Sequence, residues 1–500
     1  MMNSHYTIEK ERRQAALHNT AAGAMLFSLL LAATPIVAQQ PDRSGPPDLG
    51  PPPRLNLPAI QQLELSNGLD VVLMEKHGVP LVQLNVLVRV GSANDPLNER
   101  GLASLTADML DEGAGSRDAL ELADEIEFLG ARIRTRAGLQ NTTLSLHSPL
   151  SKFDAALPLL ADILLRPTFP ADELERKRKS LLTSLLQAHD EPNAIASAEF
   201  NVALYGNDHP YGGTGFGNEA SIRAFSVADM REFHQAYFVA NNAAVVVVGD
   251  VTPGEIMPKL ETAFGSWAQG QVPEVSWPEA PQVQRREVIL VDKPGAPQSV
   301  IRIGRIGADR YTGDYYDLQV MNTILGGSFT SRLNQNLRED KGYTYGAYSY
   351  FSFNMLPGPF MAGASVQTEV TDSALAEFFK EMNGILEPVP EDEITGAKNY
   401  EAFSLPAQFE SVSGIAGNLD ELVTFALPMD YFNHYVDNIL AVTQRDVRRV
   451  AREYVNPGRV KVIVVGDRAA IEDGIRALDL GPVTVLSIED VLGPKPVVEQ

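Results

Sequence analysis

Cysteine is absent from all 500 residues. That excludes disulfides, thiolate metal ligands, a thiol nucleophile and a lipidated cysteine anchor. Histidine is scarce too. The eight imidazoles (positions 5, 18, 77, 147, 189, 209, 234 and 434) include no two spaced three to five apart, so no helix carries a pair of them on one face for a metal. No G-x-S-x-G elbow is present, and no Lys-Ser or Lys-Thr pair follows the glycine-rich loop Asn207–Gly217, NDHPYGGTGFG. Serine-hydrolase and P-loop chemistry therefore lack their signatures. Positive charge is in deficit, 41 Lys and Arg against 64 Asp and Glu, a formal net charge of -23. That argues against nucleic acid and anionic membrane surfaces as partners and leaves room for basic peptides. The apolar run Ala21–Ala33 is too short to cross a bilayer as a helix. With Lys10, Arg12 and Arg13 before it and Ala38 after it, residues 1–38 read as a secretory signal cleaved after Ala38. The Arg12-Arg13 pair leaves twin-arginine export open beside the general route, and an uncleaved anchor is the other reading. Export without cysteine fits a bacterial periplasm.

What is present is ample core material: 44% hydrophobic and 21% charged residues, over a length that implies more than one domain. Residues 39–59 form a proline-rich linker. Strands are expected at 69–74 and 81–90, helices at 101–110 and 119–130, and two β runs around Gly138 within 132–148. Helices follow at 152–165 and 172–189. The second contains Glu175–Lys179, ERKRK, expected as a solvated face, and Asp190-Glu191-Pro192 breaks it. A helix at 227–237 leads to a strand at 243–248.

An internal repeat sets the architecture. Val71–Pro80 and Val288–Pro297 align at a separation of 217 residues, and so do Asp229, Arg231, Tyr237 and Val247–Asp250 with Asp446, Arg448, Tyr454 and Val464–Asp467. One offset at both ends of each half implies duplication, with a period far too long for a solenoid. The expected domains are 60–268 and 285–485, joined by a proline-rich linker at 269–284 and followed by a tail at 486–500. Clustered strands and long helices indicate α+β with mainly antiparallel sheets.

The segment Gly326–Tyr350, GGSFTSRLNQNLREDKGYTYGAYSY, bears the most chemistry. A polar helix is expected from Phe329 to Arg338, stopped at Lys341-Gly342 and followed by an alternating strand. This pattern sets Tyr343, Tyr345 and Ala347 on one face. Arg338 and Tyr345 are seven positions apart. Their six hydrogen-bond donors suit an oxygen gaining negative charge.

That segment resembles the second half of the M16 (insulinase, pitrilysin and mitochondrial-processing-peptidase-like) metallopeptidases. So do Gly101-Leu102-Ala103, Asp190-Glu191-Pro192, His209-Pro210-Tyr211-Gly212 and the duplication. The resemblance spans residues 60 to 480 and implies two tandem LuxS/MPP-like α+β domains. It implies that Arg338 and Tyr345 hold substrate, with Gly326 and Gly327 allowing close approach of a peptide bound as an added strand. Active members carry H-x-x-E-H on the first-half helix and a Glu on the long helix. Here those slots hold Ser104, Ala107, Asp108 and Ser184, so no metal is expected in this chain. The pattern is that of a non-catalytic subunit whose H-x-x-E-H sister holds the zinc and whose Arg and Tyr reach the shared peptide. A scaffold or peptide-binding protein without a peptidase partner is a second expectation. A stand-alone peptidase with a metal site assembled from distant residues is a third.

Overall fold

The computed structural model describes residues 50–52 and 57–498. The signal, its cleavage position and most of the first linker lie outside the described residues. The fold proper is the unit that begins at Pro52. Among the described residues no helix is long and apolar enough to cross a membrane.

The first half is one six-stranded sheet. Its strands are β1 (Ile60–Glu64), β2 (Asp70–Glu75), β3 (Leu81–Val88), β6 (Arg132–Ala137), β7 (Thr142–Pro149) and β8 (Ala243–Gly249), in the order β1-β2-β8-β3-β7-β6. A two-residue ladder, β4 (Gly113–Ala114) with β5 (Arg117–Asp118), stands apart from it. The centre is β8, AAVVVVG, every residue of which is buried. A β-branched run with no polar face suits a strand covered on both sides. The second half is built alike from β9 (Glu287–Asp292), β10 (Gln298–Ile306), β11 (Thr344–Phe351), β12 (Pro359–Gln367), β13 (Lys461–Gly466) and β14 (Val483–Leu486), in the order β11-β12-β10-β13-β9-β14. Read from its other end, this is the first sheet's order with β14 in the place of β1. Each sheet is mainly antiparallel. The exceptions are β2 on β8, and β13 and β14 on β9. The duplicated α+β architecture read from the repeat is the observed one.

The halves exchange a helix. Pro192–Tyr205, which starts with Pro at its first turn and stops at Gly206 (φ 76°), belongs to the first half in sequence. It packs on β10 and β13 of the second sheet. There Ile195, Phe200 and Leu204 meet Val300, Ile463 and Val465. Val412–Thr424, capped by Ser411 accepting from the Gly414 N–H, makes the reciprocal move. It packs on β3 and β8, and its Ile415, Ala416, Leu419 and Leu422 share a core with Leu87, Val246 and Val248 of the first sheet. No helix was expected between Pro192 and Asn207. Glu191-Pro192 is a boundary between two helices, since proline opens the second as readily as it closes the first.

The tail and the linker between the halves both join the packed structure. The tail at 486–500 is partly helical over its described residues. Ile488–Leu492 is a helix packed on the exchanged first-half helix, and His189 Nε2 lies 3.0 Å from the Gly493 carbonyl oxygen. The linker at 269–284 has no regular structure but is pinned: the Trp277 indole N–H donates to the Ala93 carbonyl at 2.9 Å, and Val283 is buried.

Candidate substrate-facing residues and the degenerate metal slots

The helix Leu102–Met109 is held at its start by Asp95. Asp95 accepts from the Gly101 N–H at 2.8 Å and the Ala103 N–H at 2.9 Å. Gly101 has φ 100°, and an added Cβ would lie 2.6 Å from the Phe216 carbonyl oxygen, so glycine is required there. Burial pushes the Asp95 carboxyl up to about 7, against the two N–H groups that draw it down. Sequence reasoning missed Asp95. Its signal is an acid shortly ahead of a helix start that has no polar side chain of its own.

On that helix Ser104 Oγ donates to the Gly215 carbonyl at 2.8 Å, and Ala107 is fully buried. Asp108 borders a cleft of about 590 Å³ together with Asp111, Lys177 and strand β6. Burial raises the Asp108 carboxyl above its usual range, and Lys177 opposes the rise. Ser184, on the helix Ala171–Ala188, is exposed and donates back to the Ser180 carbonyl at 3.1 Å. The basic run on that helix is not simply a solvated face. Arg176 and Lys177 both reach Glu112 at 2.6 Å, and Arg178 Nη2 donates to the Phe225 carbonyl at 2.7 Å. A zinc ion at these slots would meet a committed hydroxyl, a methyl group, one carboxylate and a neighbouring ammonium. These residues do not fit zinc, which needs three or four nitrogen, sulfur or carboxylate ligands. Among the described residues no three His, Asp or Glu side chains gather to hold a metal ion.

In the second half the helix carrying the polar segment begins at Arg332 and widens to a π-helical turn over Gln335–Asp340. Gly342 (φ 66°) ends it, as its position predicts. Strand β11 then runs along the sheet edge. Its register shifts between Thr344 and Ala347. This bulge overturns the expected alternation: Tyr345 is 92% exposed while Ala347 is buried. Tyr345, Tyr348 and Tyr350 all point outward, the last two with parallel rings 6.2 Å apart. Arg338 is half-buried. Its guanidinium stacks over the Phe329 ring, 4.7 Å from its centroid, and its Nε is 3.2 Å from Glu339. Asn334 ties the helix to the strand: it donates to the Phe329 carbonyl at 2.7 Å and accepts from the Ala347 N–H at 3.3 Å. Arg338 and Tyr345 thus stand on adjoining elements, both open to solvent. The two glycines differ. Gly326 is buried, and a Cβ there would lie 2.3 Å from the Ser349 backbone nitrogen, so it serves packing of the helix end on β11. Gly327 is exposed.

Two family models match the chain. Residues 70–211 fit the insulinase (peptidase family M16) model. Residues 224–400 fit the model described as the peptidase M16 inactive domain. The chain belongs to the M16 peptidase family. Among M16 relatives, an uncharacterized zinc protease of Bacillus subtilis, YmxG, is 27% identical over 59% of this chain and 70% of its own length. A Helicobacter pylori protein called a non-peptidase homolog is 22% identical over 83% of this chain and 96% of its own. Of solved M16 structures, a peptidase M16 inactive domain from Pseudomonas fluorescens superposes with a TM-score of 0.77 at 27% identity, covering 82% of this chain and 98% of that one. Within the family, residues 224–400 are of the type described as the inactive domain.

Proposed function

We propose that the chain is the non-catalytic subunit of a bacterial M16 peptidase, exported to the periplasm and paired with a sister that carries H-x-x-E-H. One observation carries the reading. The metal slots hold Ser104, Ala107, Asp108 and Ser184, while half-buried Arg338 and exposed Tyr345 stand on adjoining elements. A chain that cannot activate water through these slots contributes to hydrolysis only by presenting donors to a peptide held elsewhere. Arg338 supplies charge and a fork of N–H groups, and Tyr345 a single O–H. Both are directed at a carbonyl oxygen whose charge grows during attack. The name given to the Helicobacter pylori relative agrees with an inactive chain. Co-expression of the chain with an H-x-x-E-H sister from the same genome tests the reading. The expected result is a stable 1:1 complex that cleaves peptide, with neither chain active alone. A sister as active by itself as in the pair removes the role.

A further inference from the structure

Helix Gln444–Val450 starts on its Thr443 cap and runs on as a π-helical turn to Val455. Arg445, Arg448 and Arg452 recur at i, i+3 and i+7, so they stand in one stripe of its surface. With Arg449 and Glu453 they line a cleft of about 510 Å³. Arg448 Nε and Arg452 Nε both donate to the Leu386 carbonyl at 3.3 Å, which holds the two guanidinium groups side by side. Among the described residues Arg449 is the member of the cluster with ion pairs, to Asp314, Asp317 and Glu453, and Arg445, Arg448 and Arg452 have none. Asp446, on the same helix, is turned to its start and accepts from the Thr443 N–H at 3.1 Å. Glu453 is the one acid among the lining residues. Its charge is divided between Arg449, at 3.8 Å, and the buried Arg305.

The duplication supplies a control. At the 217-residue offset Arg448 matches Arg231. Arg231 Nη2 donates to the Thr168 carbonyl at 3.0 Å, as Arg448 does to Leu386. That contact belongs to the fold. Arg445 and Arg452 match Ala228 and Gln235 instead. The same helix is thus built once without these two cations, so its packing does not call for them. Like charges three and four positions apart on a helix repel one another until an anion joins them.

We infer that this cleft binds a phosphate group, carried by a soluble phosphorylated compound or by a lipid headgroup. Arg445, Arg448 and Arg452 come from successive turns and face one cleft. A tetrahedral phosphate presents oxygens in several directions and takes a donor from each of them. A planar carboxylate is satisfied by a single guanidinium fork. The chain's net charge of -23 repels anions at long range, so capture rests on the cleft itself. The inference does not depend on the proposed partnership. It uses neither the metal slots nor Arg338 and Tyr345, and binding is read on this chain alone.

Isothermal titration calorimetry of the chain with inorganic pyrophosphate and with citrate tests it, beside co-sedimentation with phosphatidylcholine vesicles with and without phosphatidic acid. Pyrophosphate bound at least about tenfold more tightly than citrate supports the inference and assigns a soluble ligand. Retention on the phosphatidic acid vesicles alone, without pyrophosphate binding, supports it and assigns a headgroup. Arg445→Ala with Arg452→Gln restores the two first-half residues. The pair should cost about tenfold or more in affinity for whichever probe binds and leave the thermal melt unchanged. Should the pair melt early, Arg445→Ala alone is read instead, and about threefold is expected. Glu453→Ala, which copies Ala236 of the first half, should tighten binding. Failure of both pyrophosphate and phosphatidic acid to bind, citrate bound as tightly as pyrophosphate, or unchanged affinity in the arginine variants overturns the inference.

Discussion

Arg338 and Tyr345 differ in what holds them. Arg338 is braced by Phe329 and Glu339, while Tyr345 is almost free. A donor that acts only as charge develops raises kcat and leaves KM largely alone. In the proposed complex with an H-x-x-E-H sister, Arg338→Ala should lower kcat by about 10²–10³ with a small change in KM. Tyr345→Phe should lower it in the same sense and less, since one neutral O–H is lost. Steady-state kinetics on the complex checks both, and unchanged kcat in both variants returns these side chains to the surface. Gly326→Ala tests packing instead. Its Cβ would meet the Ser349 backbone, which cannot swing aside as a side chain can. A loss of about 1–3 kcal/mol is expected in denaturant unfolding. Gly327→Ala is the partial control: its Cβ meets the Asn322 amide nitrogen at 2.7 Å, the end of a side chain, so the loss should be smaller.

At the scale of elements, the exchanged helices carry both the apolar and the polar joints between the halves. Leu419 is fully buried in the shared core, so Leu419→Ala should cost about 2–5 kcal/mol. On the same helix Asp420 accepts from Asn85 Nδ2 at 2.7 Å, and Asn85 accepts from Gln83 Nε2 at 2.6 Å. Burial pushes the Asp420 carboxyl up to about 7, against the pull of Asn85. On the reciprocal helix, burial pushes Glu199 up to about 7, against the charge of Lys461. Both folded-state values stand above those of an unfolded chain, about 3.9 and 4.3. The folded state therefore binds these protons more tightly. Their contribution is full below about pH 4 and is lost as pH rises through about 7. Thermal stability measured from pH 5 to pH 8 should fall, and Asp420→Asn should remove about 1–2 kcal/mol of that fall. An identical pH profile in the variant would place the titration elsewhere.

For the whole molecule, the exchange makes the two halves one folding unit. Each sheet has one face covered by its own helices and the other by a helix from the opposite half. The first half alone, residues 60–268, would expose Val72, Met74, Leu87, Val246 and Val248, all buried in the shared core. It should aggregate or stay unfolded when expressed alone, whereas the full chain should melt in a single transition. Two separate calorimetric transitions would contradict this. The domain boundary read at 269–284 is thus a boundary in sequence and duplication, but not between independently stable bodies.

Strand and helix positions were legible wherever a periodicity was strong. β2, β3, β7, the helix Phe153–Leu165 and the apolar β8 all fall within a few residues of expectation. The expectation that Ser104, Ala107, Asp108 and Ser184 occupy the metal slots rests on motif spacing alone. The bulge that turns Tyr345 outward from Ala347 was not legible, because strict alternation carries no mark of an inserted residue. Nor was Gly326 as a packing glycine, since a glycine looks the same whether it meets a ligand or a strand of its own chain.

By itself the sequence determined the duplicated α+β plan, through one 217-residue offset, and the M16 membership, through motifs met in order along the chain. Both are properties of residue identity and spacing along the chain. Only the tertiary structure decided which half each helix serves and which tyrosines face outward. These depend on distances between residues far apart in sequence, and apolar faces are interchangeable until packing assigns them partners.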